Sequence, residues 1–210
     1  MSAYQSDEEQ VEALKKWWQE NGKAAIAGVV LGVGGIFGWQ AWTQHQTTIA
    51  EQTSAQFQQL GMAINTGNKD SAAKQAELLI SKHGKSAYAQ FAALSMARQH
   101  LEQGDVAAAQ KQLAWAIANS SEPAIKQIAR LRLARIKLSE GDVAGAAKLV
   151  NEASKDAFAG EFAQLRGDIA LANNDKETAR KSYQEALENN VSNTELVQMK
   201  LDDLAVAATN

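Results

Sequence analysis

Three histidines are the first residues to test for chemistry in this 210-residue chain, but His45, His83 and His100 lie too far apart for metal-ligand spacing. No serine sits in a nucleophile-elbow context, no glycine loop leads a helix with Lys-Ser or Lys-Thr, and no calcium-loop spacing occurs. Cysteine is absent, which removes disulfides and thiolate metal sites and is compatible with an oxidising compartment. Carboxylates are scattered where solubilising residues belong. What does recur is arginine. Arg98 and Arg135 stand 37 residues apart, and that interval is the period of a repeat. Matched guanidiniums in successive repeats suit binding; neither catalysis nor a cofactor is expected.

The elements that must position those arginines follow from the repeat itself. Gly104-Asp105-Val106 recurs as Gly141-Asp142-Val143 and again as Asn174-Asp175-Lys176, with Gly67-Asn68-Lys69 as an earlier, degenerate copy. Seven residues before the last three turns stand Ala97, Ala134 and Gly167, and five after the turn start come Ala109, Ala146 and Ala179. Larger residues follow at Leu113, Val150 and Tyr183, then Ala116, Ala153 and Ala186. Antiparallel helices joined by a tight turn need small residues where their axes approach and larger ones between hairpins. Gly or Asn suits the left-handed position ending the first helix, and Asp caps the second. The spacing is tetratricopeptide-like. It predicts helices near 46–65 and 71–81 for the first repeat and a capping helix over 194–206. One proline and many alanines argue for an all-α class.

A solenoid of this kind presents a concave face lined by the first helix of each pair. The register brings forward Phe91, Leu94, Arg98 and Leu101, then Ile128, Leu131, Arg135 and Leu138. Apolar patches with two arginines can hold an extended peptide or a partner helix; equally, the leucines can be inter-repeat core and the arginines solvated. The basic cluster Lys126, Arg130, Arg132, Arg135 and Lys137 is spread around a helix, as a solvated surface is, and forms no stripe for nucleic acid.

Ahead of the repeats lies a charge-free run of 27 residues, Ala24 to Ala50. Its apolar heart, Ala24 to Trp42, would span roughly 28 Å as a helix, close to the hydrocarbon thickness of a bilayer. Trp17, Trp18, Trp39 and Trp42 flank it, where indoles favour the headgroup level. Bulky indoles where cleavage would fall argue against a signal peptide, and paired indoles at the ends argue against a soluble core helix. Its glycines miss nucleotide-loop spacing. Lys15, Lys16 and Lys23 precede the run, and no Lys or Arg follows until Lys69, so the positive-inside rule puts the N-terminus in the cytoplasm. The expected division is a cytoplasmic amphipathic tail 1–23, a transmembrane helix 24–42 and a repeat domain 43–210 across the membrane. Only three of 21 basic and five of 24 acidic residues precede the run, so the remainder is nearly neutral. Gly28, Gly32 and Gly35 would share one face of the span. That pattern either favours close approach of another helix or reflects the ordinary tolerance of membranes for glycine.

The stretch Glu8-Glu9-Gln10-Val11-Glu12-Ala13-Leu14-Lys15-Lys16-Trp17-Trp18, then Glu20-Asn21-Gly22-Lys23, leads into a glycine-rich span closing with Gly38-Trp39-Gln40-Ala41-Trp42. With tetratricopeptide-like repeats behind it, the chain resembles the YfgM-like family of ancillary Sec-translocon subunits of Gram-negative bacteria. The resemblance covers essentially the whole chain and is most specific over residues 8–42. It implies a single-pass inner-membrane protein with a periplasmic repeat domain, associated with the SecYEG channel and the membrane-anchored periplasmic chaperone PpiD. A non-enzymatic scaffold or co-chaperone is the leading expectation, with unfolded client chains as further partners. A self-associating scaffold of another envelope complex, with the span as homodimer contact, is the alternative, and an anchored envelope enzyme is the third class.

Overall fold

The computed structural model describes residues 7–153 and 158–206, so the first six residues of the expected tail lie outside the described region. Helices account for the regular structure of the described residues, in the order α1 (Asp7–Asn65), α2 (Lys69–His83), α3 (Ala87–Glu102), α4 (Val106–Asn119), α5 (Pro123–Ser139), α6 (Val143–Asn151), α7 (Ala159–Ala172), α8 (Lys176–Glu188) and α9 (Thr194–Val206). The chain divides into two compact units, Met1–Gln52 and Thr53–Asn210.

The first unit is helical throughout its described residues and holds the stretch of α1 apolar enough to cross a membrane. Glycine costs a helix about 1 kcal/mol relative to alanine in water. In hydrocarbon every backbone group must be satisfied within the segment, which restores the helix as the sole arrangement for a single strand of chain. Trp39 and Trp42 have ring centroids 5.3 Å apart, and Trp18 lies against Gly22 at 3.2 Å from where a Cβ would stand. Beyond Trp42 the helix does not break. Thr43, Thr47 and Thr48 donate their hydroxyls to the carbonyls of Gln40, Thr43 and Gln44 at 2.9–3.0 Å, and no proline interrupts. The separate helix expected near 46–65 is therefore the C-terminal end of α1, and α2 runs two residues at each end beyond the expected 71–81.

In the second unit, the turn inside a hairpin recurs four times among the described residues. The N–H of Asn68, Asp105, Asp142 and Asp175 donates to the carbonyl of Ala63, His100, Lys137 and Ala170 respectively, at 2.8–2.9 Å. This six-to-one closure requires a left-handed residue, supplied by Gly67, Gly104 and Gly141 and, in the last copy, by Asn174 with φ 61°. The side chains of Asn68, Asp105, Asp142 and Asp175 then accept from the N–H three residues on, at 2.8–3.0 Å. Each such cap contributes about 1 kcal/mol. Lys137 and the Gly145 N–H hold the Asp142 carboxyl below its ordinary range, and the Thr178 hydroxyl and N–H do the same for Asp175.

Among the described residues the interior consists of four apolar clusters, each drawn from successive helices. Leu60 and Ala63 of α1 meet Ala72, Ala76 and Leu79 of α2 and Ala89, Ala92 and Met96 of α3. Helices α3, α4 and α5 share Leu94, Ala97, Leu113, Ala116, Ile125 and Ala129. Helices α5, α6 and α7 share Leu131, Ala134, Ala146, Val150, Phe162 and Leu165, and α7, α8 and α9 share Ala163, Ala179, Tyr183, Ala186 and Val197. The small-large alternation read from the sequence is what lets these hairpins close. Gly167 is its extreme: a Cβ there would stand 2.4 Å from Cε1 of the fully buried Tyr183. The tetratricopeptide-like hairpin architecture, closed by α9, is thus as the spacing predicts.

Candidate functional site

The first helices of the hairpins, α3, α5 and α7, carry side chains of chemical interest along one side, with α9 continuing the row. Arg98, Leu101, Arg132 and Arg135 border a cavity of about 310 Å³ whose floor is Ala97, Leu113 and Ile136. Arg135 also borders a second, larger cavity of about 690 Å³, lined by Leu138, Glu161, Gln164, Asp168, Leu196 and Lys200 among others. The structure therefore brings Arg98, Leu101 and Arg135 together around one depression and places Leu138 with Arg135 in the next. Phe91 does not line either cavity; it is 42% exposed, with its ring centroid 6.2 Å from that of Phe57, which in turn lies 5.7 Å from Tyr88. Ile128 is half-buried against the α3–α5 cluster.

Two residues assigned to the groove by register belong instead to the interior. Leu94 is 8% exposed among Leu113, Ile125 and Ala129, and Leu131 is 6% exposed beside Val150 and Phe162. The cause is the alanine at Ala93 and Ala97, and at Ala134: neighbouring helices approach so closely there that they cover the adjacent leucines.

Charge along the row is unequal. One period on from Arg98 is Arg135, and the next equivalent position, 33 residues later, is Asp168. Asp168 accepts from Lys200 Nζ at 2.5 Å and from the Tyr183 hydroxyl at 2.6 Å, tying α7 to α8 and α9. Burial, with Asp168 beside it, pushes the Tyr183 phenol far above its ordinary range. Burial would raise the Glu161 carboxyl, but hydrogen bonds from the Ser192 hydroxyl and N–H, with the field of Arg135, hold it below the usual value. The arginines are less committed. Arg98 makes an exposed ion pair with Glu102 one turn on, at 2.8 Å, a type that contributes little. Arg132 and Arg135 make no hydrogen bond or ion pair among the described residues.

Arg130 and Lys137 of the basic cluster are spent on structure. Arg130 faces Glu152 at 4.0 Å, and Lys137 pairs with Asp142 at 2.6 Å. Arg132, Asp168 and Lys200 were not marked as site residues by the sequence reading. For Asp168 the signal was present, since stepping the arginine register once more lands on it. For Lys200 there was none, because the capping helix lies outside the repeat. Among the described residues no group of three histidine or acidic side chains is placed to hold a metal ion. In the first unit, a Cβ at Gly28, Gly32 or Gly35 would meet nothing within 4 Å, and the same holds at Gly34 and Gly38.

The chemistry on offer is recognition by apolar contact and guanidinium. A family model described as a tetratricopeptide repeat-like domain matches residues 15–206. An ancillary SecYEG translocon subunit of Haemophilus influenzae is 36% identical over 206 residues, 96% of this chain and all of the relative. Its counterpart in Escherichia coli is 31% identical over 208 residues, 98% of this chain and all of the relative. That of Aggregatibacter actinomycetemcomitans is 35% identical over 206 residues, again covering the whole relative. No solved structure matches the chain significantly.

Proposed function

The chain belongs to the ancillary SecYEG translocon subunit family, and on that premise we propose that it is a non-enzymatic scaffold that holds a partner beside the Sec channel in the bacterial inner membrane. The apolar stretch of α1 anchors it, with the lysine-bearing N-terminus in the cytoplasm and the repeats from residue 43 in the periplasm. The span docks laterally through Gly28, Gly32 and Gly35, while the repeat domain receives a periplasmic chaperone, PpiD by family resemblance, or an emerging client chain. The observation that carries this reading is the row of first helices, where the guanidiniums of Arg98, Arg132 and Arg135 border apolar depressions.

The test is photo-cross-linking in native membranes from probes at Gly28 and Leu101, with the captured proteins identified by mass. SecYEG subunits from the first position and a periplasmic chaperone or translocating chain from the second are expected. The spacing of Gly28, Gly32 and Gly35 on one face is what supports a second reading, a self-associating scaffold of another envelope complex. Capture of the chain by itself alone from both positions would replace the first reading by the second.

A further inference from the structure

The charge imbalance along the row specifies a ligand, given that the repeat domain is a partner-binding scaffold. On the α7 side the acidic groups are already matched, Asp168 by Lys200 and Tyr183 and Glu161 by Ser192. On the α3–α5 side Arg132 and Arg135 make no hydrogen bond or ion pair among the described residues, the field of Arg135 reaching only the already hydrogen-bonded Glu161, and Arg98 is tied only to Glu102 on the surface. All three border the depression of about 310 Å³ floored by Leu113 and Ile136, with Leu101 at its edge and 41% exposed. An apolar hollow rimmed by guanidiniums favours a large apolar side chain with carboxylates on either side of it. The apolar group gains from leaving water, and each carboxylate can take two parallel N–H bonds from an arginine fork. Lysine at the flanking positions would face like charge.

We infer that the α3–α5 depression is the docking pocket for an acidic-apolar segment of a partner polypeptide, in which one aromatic or large aliphatic residue enters between Leu101 and Ile136. Aspartate or glutamate neighbours of that residue engage Arg132 and Arg135. Arg98 exchanges its surface glutamate for the ligand's carboxylate at small cost.

The experiment uses the full chain in nanodiscs of zwitterionic lipid. The probe is a fluorescent peptide with one phenylalanine between paired glutamates, read by fluorescence polarisation. Two comparison peptides replace the glutamates by lysine or the phenylalanine by alanine. Wild-type protein is expected to bind the probe about ten-fold or more tightly than either comparison peptide, the scale of one good charge-assisted contact. Arg132→Glu with Arg135→Glu is expected to invert the preference toward the lysine-flanked peptide, a result that a misfolded variant cannot give. Arg132→Gln with Arg135→Gln is expected to abolish the preference between flanking charges. Lys111→Glu, at an exposed site on α4, is expected to leave it unchanged. Equal binding of all three peptides by wild-type protein, or an unchanged preference in the charge-reversed variant, would overturn the inference. So would self-association that the charge reversal abolishes while no peptide binds, since the pocket would then belong to a second copy. Should the peptides fail while Gly28 still captures translocon subunits in membranes, this inference falls and the scaffold reading stands.

Discussion

Replacing Gly167 by alanine tests the packing logic of the repeats, because two effects of opposite sign meet at one methyl group. In a helix interior, glycine to alanine is worth about 1 kcal/mol of stabilisation through propensity and a less flexible unfolded chain. At Gly167 the new Cβ would lie 2.4 Å from Tyr183 Cε1 and 2.6 Å from Cδ1. The ring cannot swing away, for it is fully buried and its hydroxyl is held by Asp168 at 2.6 Å. Overpacking of this kind costs about 1–3 kcal/mol, and the fixed ring places it toward the upper end. The net expectation is a loss of about 1–2 kcal/mol, or about 3–6 °C in Tm for a domain of this size. Gly61→Ala is the control of opposite sign, since a Cβ there meets nothing within 4 Å, and it should gain up to about 1 kcal/mol. Urea and thermal unfolding of the full chain in detergent, followed by circular dichroism, measures both. Adding Tyr183→Leu to Gly167→Ala recreates the Ala97–Leu113 pairing of an earlier repeat, and the double variant should be more stable than the sum of its single changes by about 1 kcal/mol. Gly167→Ala as stable as wild type, or more so, would refute the reasoning.

Three further outcomes are expected. Asp105→Ala and Asp175→Ala each remove a side-chain acceptor at a helix start and should cost about 1 kcal/mol in the same unfolding assay, whereas equal stability would mean that water replaces the cap. Asp142, Glu161 and Asp175 have carboxyls held below their ordinary values, so the folded state binds fewer protons than the unfolded one. Their contribution is complete above about pH 4.5 and is lost as pH falls through the carboxylate range, so a denaturant midpoint that rises on acidification would contradict it. Gly28→Leu with Gly32→Leu should abolish span cross-links to neighbouring helices while leaving the helical circular dichroism intact; undiminished cross-linking would take that face out of the contact.

Much of this fold is written in the spacing of small residues. Ala97, Ala134 and Gly167 mark close approaches, and Asp105, Asp142 and Asp175 mark helix starts, because both demands are local and recur with the period. The unbroken passage of α1 through Thr43 and Thr48 was less legible, since hydroxyls that bond back to the helix look in sequence like residues that end one. At the candidate site, the register put Arg98, Leu101, Arg135 and Leu138 on one face together with Leu94 and Leu131, whereas only the first four border the cavities. Which side of a leucine a neighbouring helix covers depends on the angle between hairpins, and that angle comes from the summed packing of several repeats. Lys200 could not be found at all, because its role depends on where the capping helix settles against Asp168.

The interior made of four clusters, each confined to successive helices, has a consequence for how the chain acquires its structure. No apolar residue in it must wait for a distant part of the sequence, so the contacts are short in contour length and the search for them is fast. Each hairpin can condense on the one before it as synthesis proceeds, leaving a single uncovered end that moves forward until α9 seals it. A protein assembled in this order has a growing tip in place of a collapse, and only that tip is vulnerable to aggregation or proteolysis at any moment.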